Sequence, residues 1–182
     1  MNVVPMDPPA DASRHRLLVC LDLQRAHEAA APPQRLGHCR EALDHARRQD
    51  WSVVHLHQAA RGDPELARPI EGLEPRPCEP VMARRGVSAF ASRAFGELVE
   101  GAHRAELVVI GASLAGACLA TVFAAYDRNL STLVVEDAVW AGGVGEAAEA
   151  LIWTIAAPFT RIIATAALIS ARPQLRLVRS NG

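Results

Sequence analysis

The chain has 182 residues, half of them hydrophobic, and a formal net charge of −1. That length suits a single domain with a sizeable core, and the charge balance gives no reason to expect nucleic acid or an anionic membrane as a partner. No uncharged apolar run approaches the ~20 residues of a membrane span, and all nineteen Lys+Arg positions are arginine, so no lysine chemistry is available.

The opening MNVVPMDPPADASRHR is rich in proline and lacks the basic start and apolar stretch of a signal peptide. Residues 1–14 are expected to be a flexible segment, and 15–182 one domain. Cys20, Cys39, Cys78 and Cys118 show no CxxC spacing, which fits reduced thiols in a cytoplasmic protein.

RLLVCLDLQ (Arg16 to Gln24) predicts a first strand with Asp22 and Gln24 at its carboxyl end. Gln34 to Gln49 predicts an amphipathic helix, with Leu36, Cys39, Leu43 and Ala46 on one face and Arg40, Glu41, Asp44 and Arg48 largely outside. WSVVHLH predicts the second strand, and pleating puts His55 and His57 on one side of it. That pair could be half of a metal site, and HLHQAARGDP offers only Asp63 further on. The expectation is no metal, and a hydrogen-bonded pair at the strand end. Arg61 to Pro80 holds five prolines and predicts a long irregular loop.

Arg93 to Gly101 predicts a helix. LVVIG (Leu107 to Gly111) has the β-branched composition of a fully buried strand, with Gly111 allowing a sharp turn after it. Leu114 to Tyr126 is apolar all round, so that helix is expected to be sheathed on several sides. STLVVED predicts a buried strand ending on Glu136 and Asp137, Glu146 to Ile155 a helix, and TRIIAT the last core strand. QLRLVRSNG is an edge strand or a tail. No GxGxxG or P-loop motif is present, and no cofactor is expected. The alternation implies an α/β fold: a three-layer α/β/α sandwich around a mostly parallel, five- or six-stranded, doubly wound sheet. Its ligand site is expected where a helix starts just past the carboxyl end of a strand.

GASLAGACLAT (Gly111 to Thr121) resembles the isochorismatase-like hydrolase superfamily, whose cysteine members read roughly G-[VA]-x-[ST]-x-x-C-x-x-x-T. In a gap-free register the nucleophile position falls on Ala117, and Cys118 stands one step later. The branch that hydrolyses isochorismate reads G-V-Y-A-H-I-G-C-x-x-T, with glycine at that position, and is the more similar pattern. LDLQ resembles the family's L-[IV]-x-D-x-Q, which implies that Asp22 is the catalytic acid/base. VMARRGVSAF resembles V-x-x-K-x-x-x-S-A-F, which puts Arg84 at the lysine of the Asp–Lys–Cys triad. HLHQA resembles T-A-Q-P and implies Gln58 in the substrate pocket, together with Ser113, which replaces the branch's aromatic, and Ala117. The resemblance also implies a homodimer or homotetramer acting on a small molecule, with the proline-rich loop covering the site or reaching a partner subunit.

Three functions are open on these residues. Asp22 could act as general acid in vinyl ether hydrolysis, which needs no thiol. Cys118 could serve an amide or imide hydrolase, if a local bulge at the helix start turns it into place. Or the fold could persist as a binding or assembly module, with Asp22 and Arg84 a mere ion pair. A guanidinium cannot shuttle a proton, but its fork would also suit a substrate carboxylate.

Overall fold

The computed structural model describes residues 15–59, 63–102, 105–143 and 145–170. The N-terminal segment 1–14 and QLRLVRSNG lie outside them. The strands are β1 (Arg16–Leu21), β2 (Ser52–Gln58), β3 (Val81–Arg84), β4 (Glu106–Ala112), β5 (Thr132–Trp140) and β6 (Arg161–Ile163). They form one sheet in the order β3-β2-β1-β4-β5-β6, and every neighbouring pair is parallel. The helices are α1 (Pro33–Arg48), α2 (Pro64–Ala67), α3 (Arg93–Gly101), α4 (Leu119–Tyr126), α5 (Glu146–Ala156) and α6 (Thr165–Ser170).

Alternating strand residues separate two cores. Leu18, Cys20, Val108 and Ile110 pack with Leu36, Cys39 and Leu43 of α1 and Leu168 of α6. Leu17, Val19, Leu107 and Val109 pack on the other face with Phe95 and Val99 of α3 and Val122 and Ala125 of α4. This is the expected three-layer sandwich. The chain winds outward from β1 to β3, then restarts at β4 on the other side of β1 and winds to β6. The switch point therefore lies between β1 and β4, where the carboxyl ends of open α/β sheets leave a crevice.

Four features depart from the sequence reading. The sixth strand is β3, an edge strand of four residues in which only Arg84 is buried; nothing so short and exposed carries a strand pattern. Gly111 lies inside β4 at a register shift, and the turn follows at Ser113. At the same irregularity β5 continues past Glu136 and Asp137 to Trp140. Asp137 is thereby freed to accept the Thr165 amide (2.8 Å) and hydroxyl (2.6 Å) at the start of α6. Lastly, the proline-rich loop is packed in place. It carries α2, a bridge from Pro69 to Gln24, and wholly buried Ile70 and Leu73, each worth ~1.5–3 kcal/mol of burial. No helix among the described residues is long and apolar enough to cross a membrane.

Candidate active site

Asp22 follows β1 directly and sits in the left-handed region at φ 48°, which Asp tolerates better than most residues. Its amide donates to the Leu56 carbonyl at 2.9 Å, so the chain turns across the end of β2. This places a carboxylate with only 3% of its side chain exposed at the switch point. Oδ1 accepts the Gln58 amide at 2.7 Å, and Oδ2 accepts Nη2 of Arg84. Two N–H donors match an acceptor-only carboxylate.

Arg84 reaches this point from the end of β3. It is equally buried, and its Nη1 donates to the Gly86 and Val87 carbonyls. The guanidinium is thus turned inward and bound within the chain. Its Nε is buried with no partner among the described residues. The following turn is fixed to the neighbouring helix, because the Ala89 amide donates to Thr121 Oγ1 at 2.9 Å.

The second half of the crevice comes from β4. Gly111 has φ +111°, and a Cβ there would lie 2.0 Å from the Leu21 carbonyl oxygen. Only glycine permits this close approach of β4 to the residue preceding Asp22. The Ala112–Ser113 peptide bond is cis. Leu114–Cys118 then form a π turn, closed by the Cys118 amide donating to Ser113 O at 3.0 Å. A Cβ on Gly116 would stand 2.7 Å from Ser113 Oγ, so a larger residue there would require that hydroxyl to rotate away.

The isochorismatase domain model matches residues 16–167. The chain belongs to the isochorismatase family. No curated protein matches it. Its fold is that of an isochorismatase from Pseudomonas putida KT2440 (TM-score 0.77, 24% identity, covering 88% of this chain and 92% of that one). It is also that of a cysteine hydrolase from Pseudomonas syringae pv. phaseolicola 1448A (TM-score 0.76, 17% identity, 93% and 97% covered). An N-carbamoylsarcosine amidase from Thermoplasma acidophilum is similar as well (TM-score 0.69, 19% identity, 82% and 96% covered).

Within this isochorismatase-family crevice, Asp22 and Arg84 meet as their motifs imply. Cys118 lies in the apolar cluster on the α3–α4 face of the sheet. The π turn is the kind of local bulge that could redirect a side chain. Yet Cys118 is 1% exposed among Leu114, Ala117 and Val122. Burial alone pushes its thiol up to about 12. An apolar enclosure of this kind disfavours a thiolate. Ala117 is buried in the same cluster, and Ser113 is half-buried at the elbow. Gln58 supplies its backbone amide to Asp22, while its side chain is exposed.

The histidines do not bond to one another. Their rings lie 6.4 Å apart at 79°, and His55 Nε2 instead meets Glu79 Oε2 at 3.1 Å. Arg47 grips Glu79 through Nε (2.7 Å) and Nη2 (2.8 Å), and the Arg76 amide adds a third bond at 2.9 Å. Burial pushes the Glu79 carboxyl up, but these bonds and that from His55 outweigh it and hold the group at about 2. Burial also pulls both histidines down, so neutral imidazoles are favoured. Among the described residues, no three His, Cys, Asp or Glu side chains are grouped as metal ligands. Glu79 and Thr121 are the two structural members that sequence reading missed. Thr121 sits at the last position of the family motif, which was the available signal; Glu79, within the loop, gave none.

Proposed function

We propose that this isochorismatase-family protein hydrolyses a small carboxylate-bearing molecule through Asp22, without a covalent cysteinyl intermediate. The observation that carries the reading is the contrast between two positions. Asp22 is held at the switch point by Gln58 and Arg84, whereas Ala117 occupies the gap-free nucleophile position and Cys118 is enclosed in apolar side chains.

Vinyl ether hydrolysis fits these groups. Asp22, once protonated, gives its proton to the alkene carbon. Water adds to the oxocarbenium carbon and sheds a proton, and the resulting hemiketal opens to a ketone and an alcohol. General acid catalysis of this kind contributes ~10²–10⁴-fold. Arg84 orients the carboxylate and cannot supply the proton.

The test is product release from isochorismate and from simple amides and imides, using wild type, Asp22→Asn and Cys118→Ala. Ketone release lost only in Asp22→Asn supports the reading. Amide cleavage lost in both variants replaces it with a cysteine hydrolase. Ligand binding without turnover of any substrate leaves a binding module, with Asp22–Arg84 as an ion pair.

Self-association as a dimer or tetramer is part of the same proposal. The proline-rich loop turns Ile70 and Leu73 inward, whereas α5 exposes Leu151 and Ile155 and is the better apolar surface. Sedimentation as a monomer at all concentrations would overturn it.

A further inference from the structure

Arg84 stands where the family motif has lysine, and the two side chains differ in shape. A guanidinium is a planar fork with donors at both ends, whereas an ammonium is one compact point. Both ends of this fork are in use. Nη2 donates to Asp22 Oδ2, and Nη1 donates to the Gly86 and Val87 carbonyls, the latter at 2.8 Å. One cation therefore ties the carboxylate after β1 to the turn after β3.

That turn is pinned from its other end as well. The Ala89 amide donates to Thr121 Oγ1, and the Phe90 amide to Ser88 Oγ at 3.2 Å. Val87 lies between the two attachments, its carbonyl drawn inward and the residue 58% exposed. Its side chain approaches the π turn across the crevice: a Cβ on Gly116 would lie 4.0 Å from Val87 Cγ1. A Cβ on Gly142 would lie 3.4 Å from Ser113 Cβ, which brings the loop after β5 to the same place. Three loops that follow strand carboxyl ends thus meet at one gap. Two of them present glycine there, and Val87 stands over it as an open apolar side chain. We propose that Arg84 splints Val87 over Gly116, and that Val87 thereby limits the size of the substrate group admitted next to Asp22.

This inference rests on the Asp22 reading for what is bound. A general acid must come within hydrogen-bond reach of the atom it protonates. Nη1 and Nη2 share one carbon, so the Val87 carbonyl is bonded one guanidinium away from the Asp22 carboxylate. A substrate atom in reach of Asp22 has the Val87–Gly116 gap beside it, and a substituent on that side meets the Val87 methyls. One methylene in an apolar site of this kind discriminates ~10–200-fold. A lysine ammonium at position 84 could pair with Asp22 but could not also hold both carbonyls of the turn. The size limit therefore belongs to the arginine of this chain. Val87 is a specificity-determining residue, and Arg84 positions it.

Two NMR measurements on the wild-type chain need no substrate. The Val87 methyl protons are expected to show a nuclear Overhauser effect to the Gly116 α protons. The Arg84 Nη protons are expected to give resolved, slowly rotating signals, because both ends of the fork are bonded. A missing Overhauser effect or averaged Nη signals would overturn the proposal. Size selection is then read with 2-alkoxyacrylates, from methoxy to cyclohexyloxy, by pyruvate release. The saturated 2-alkoxypropanoates, which cannot be protonated at carbon, are compared by their Kd. Wild type is expected to favour the methoxy over the cyclohexyloxy member, and Val87→Ala to shrink that preference ~10-fold or more. Val87→Ala alters an exposed side chain and leaves the core untouched. Arg84→Lys is expected to shrink the preference in the same direction and to weaken the Val87–Gly116 effect; should it fail to fold, the wild-type Nη signals decide the splint. An equal preference in wild type and Val87→Ala, or no binding of any member, overturns the proposal. Vinyl ether turnover lost in Asp22→Asn, with a preference indifferent to Val87, would reject the size limit and keep the Asp22 reading. Val87-dependent binding of the saturated series without turnover of the unsaturated one would do the reverse.

Discussion

The two walls of the crevice are built in opposite ways. On the β1–β2–β3 side, a buried carboxylate and a buried guanidinium pair at the strand ends, each further bound by backbone groups. On the β4 side, the π turn buries a methyl group and a thiol among Leu114 and Val122, with no charge beside them. Burial has opposite consequences for the two. A charge pair can survive in a low dielectric if its hydrogen bonds are complete, whereas a lone thiol there stays protonated. On the function proposed above, the charged wall carries the chemistry and the thiol wall does not.

Breaking the charged wall should have the largest effect. Arg84→Met leaves Asp22 buried and unpaired, and is expected to cost about 3–5 kcal/mol in urea unfolding. A loss under 1 kcal/mol would mean that the pair is not enclosed in solution. Next comes the Glu79 cluster with Arg47 and His55. At ~1.36 kcal/mol per pKa unit, the drop of Glu79 from its ordinary 4.5 to about 2 contributes about 3 kcal/mol. Because the folded pKa is depressed, that stability is present above about pH 4.5 and is lost as the pH falls towards 2. Glu79→Gln should flatten this acid limb of the stability profile.

In activity, Asp22→Asn should lower turnover by ~100-fold or more. Thr121→Val tests the tie between the walls: it strips the acceptor from the buried Ala89 amide and should cost ~1–3 kcal/mol. The smallest effect belongs to the apolar wall itself. Cys118→Ala should change stability by about 1 kcal/mol and leave hydrolysis intact. Iodoacetamide at neutral pH should label the exposed Cys78 in the native protein and reach Cys20, Cys39 and Cys118 only on unfolding. Rapid native labelling of Cys118 that abolishes activity would restore the thiol wall and reverse the comparison.

Much of this was legible beforehand, for local reasons. Hydrophobic periodicity suffices to find α1 and the buried strands, and the Gly111-to-Thr121 phrase with SAF identifies the family without any coordinates. Periodicity fails where an element is short or irregular. The edge strand β3 has four residues, and the extension of β5 depends on a register shift that only pairing reveals. The loop from Arg61 to Pro80 reads as irregular because its order comes from contacts with distant side chains, Arg40 on Glu71 and Arg47 on Glu79.

The sequence by itself determined the fold class and the family, because hydrophobic periodicity and the Gly111-to-Thr121 phrase are local; that Asp22 and Arg84 would stand together was implied only by the resemblance. Only the tertiary structure decided which groups are committed. It turned Arg84 inward, enclosed Cys118 and took Gln58 by its backbone. Those outcomes depend on burial and on the direction of single bonds, and no spacing along the chain encodes either.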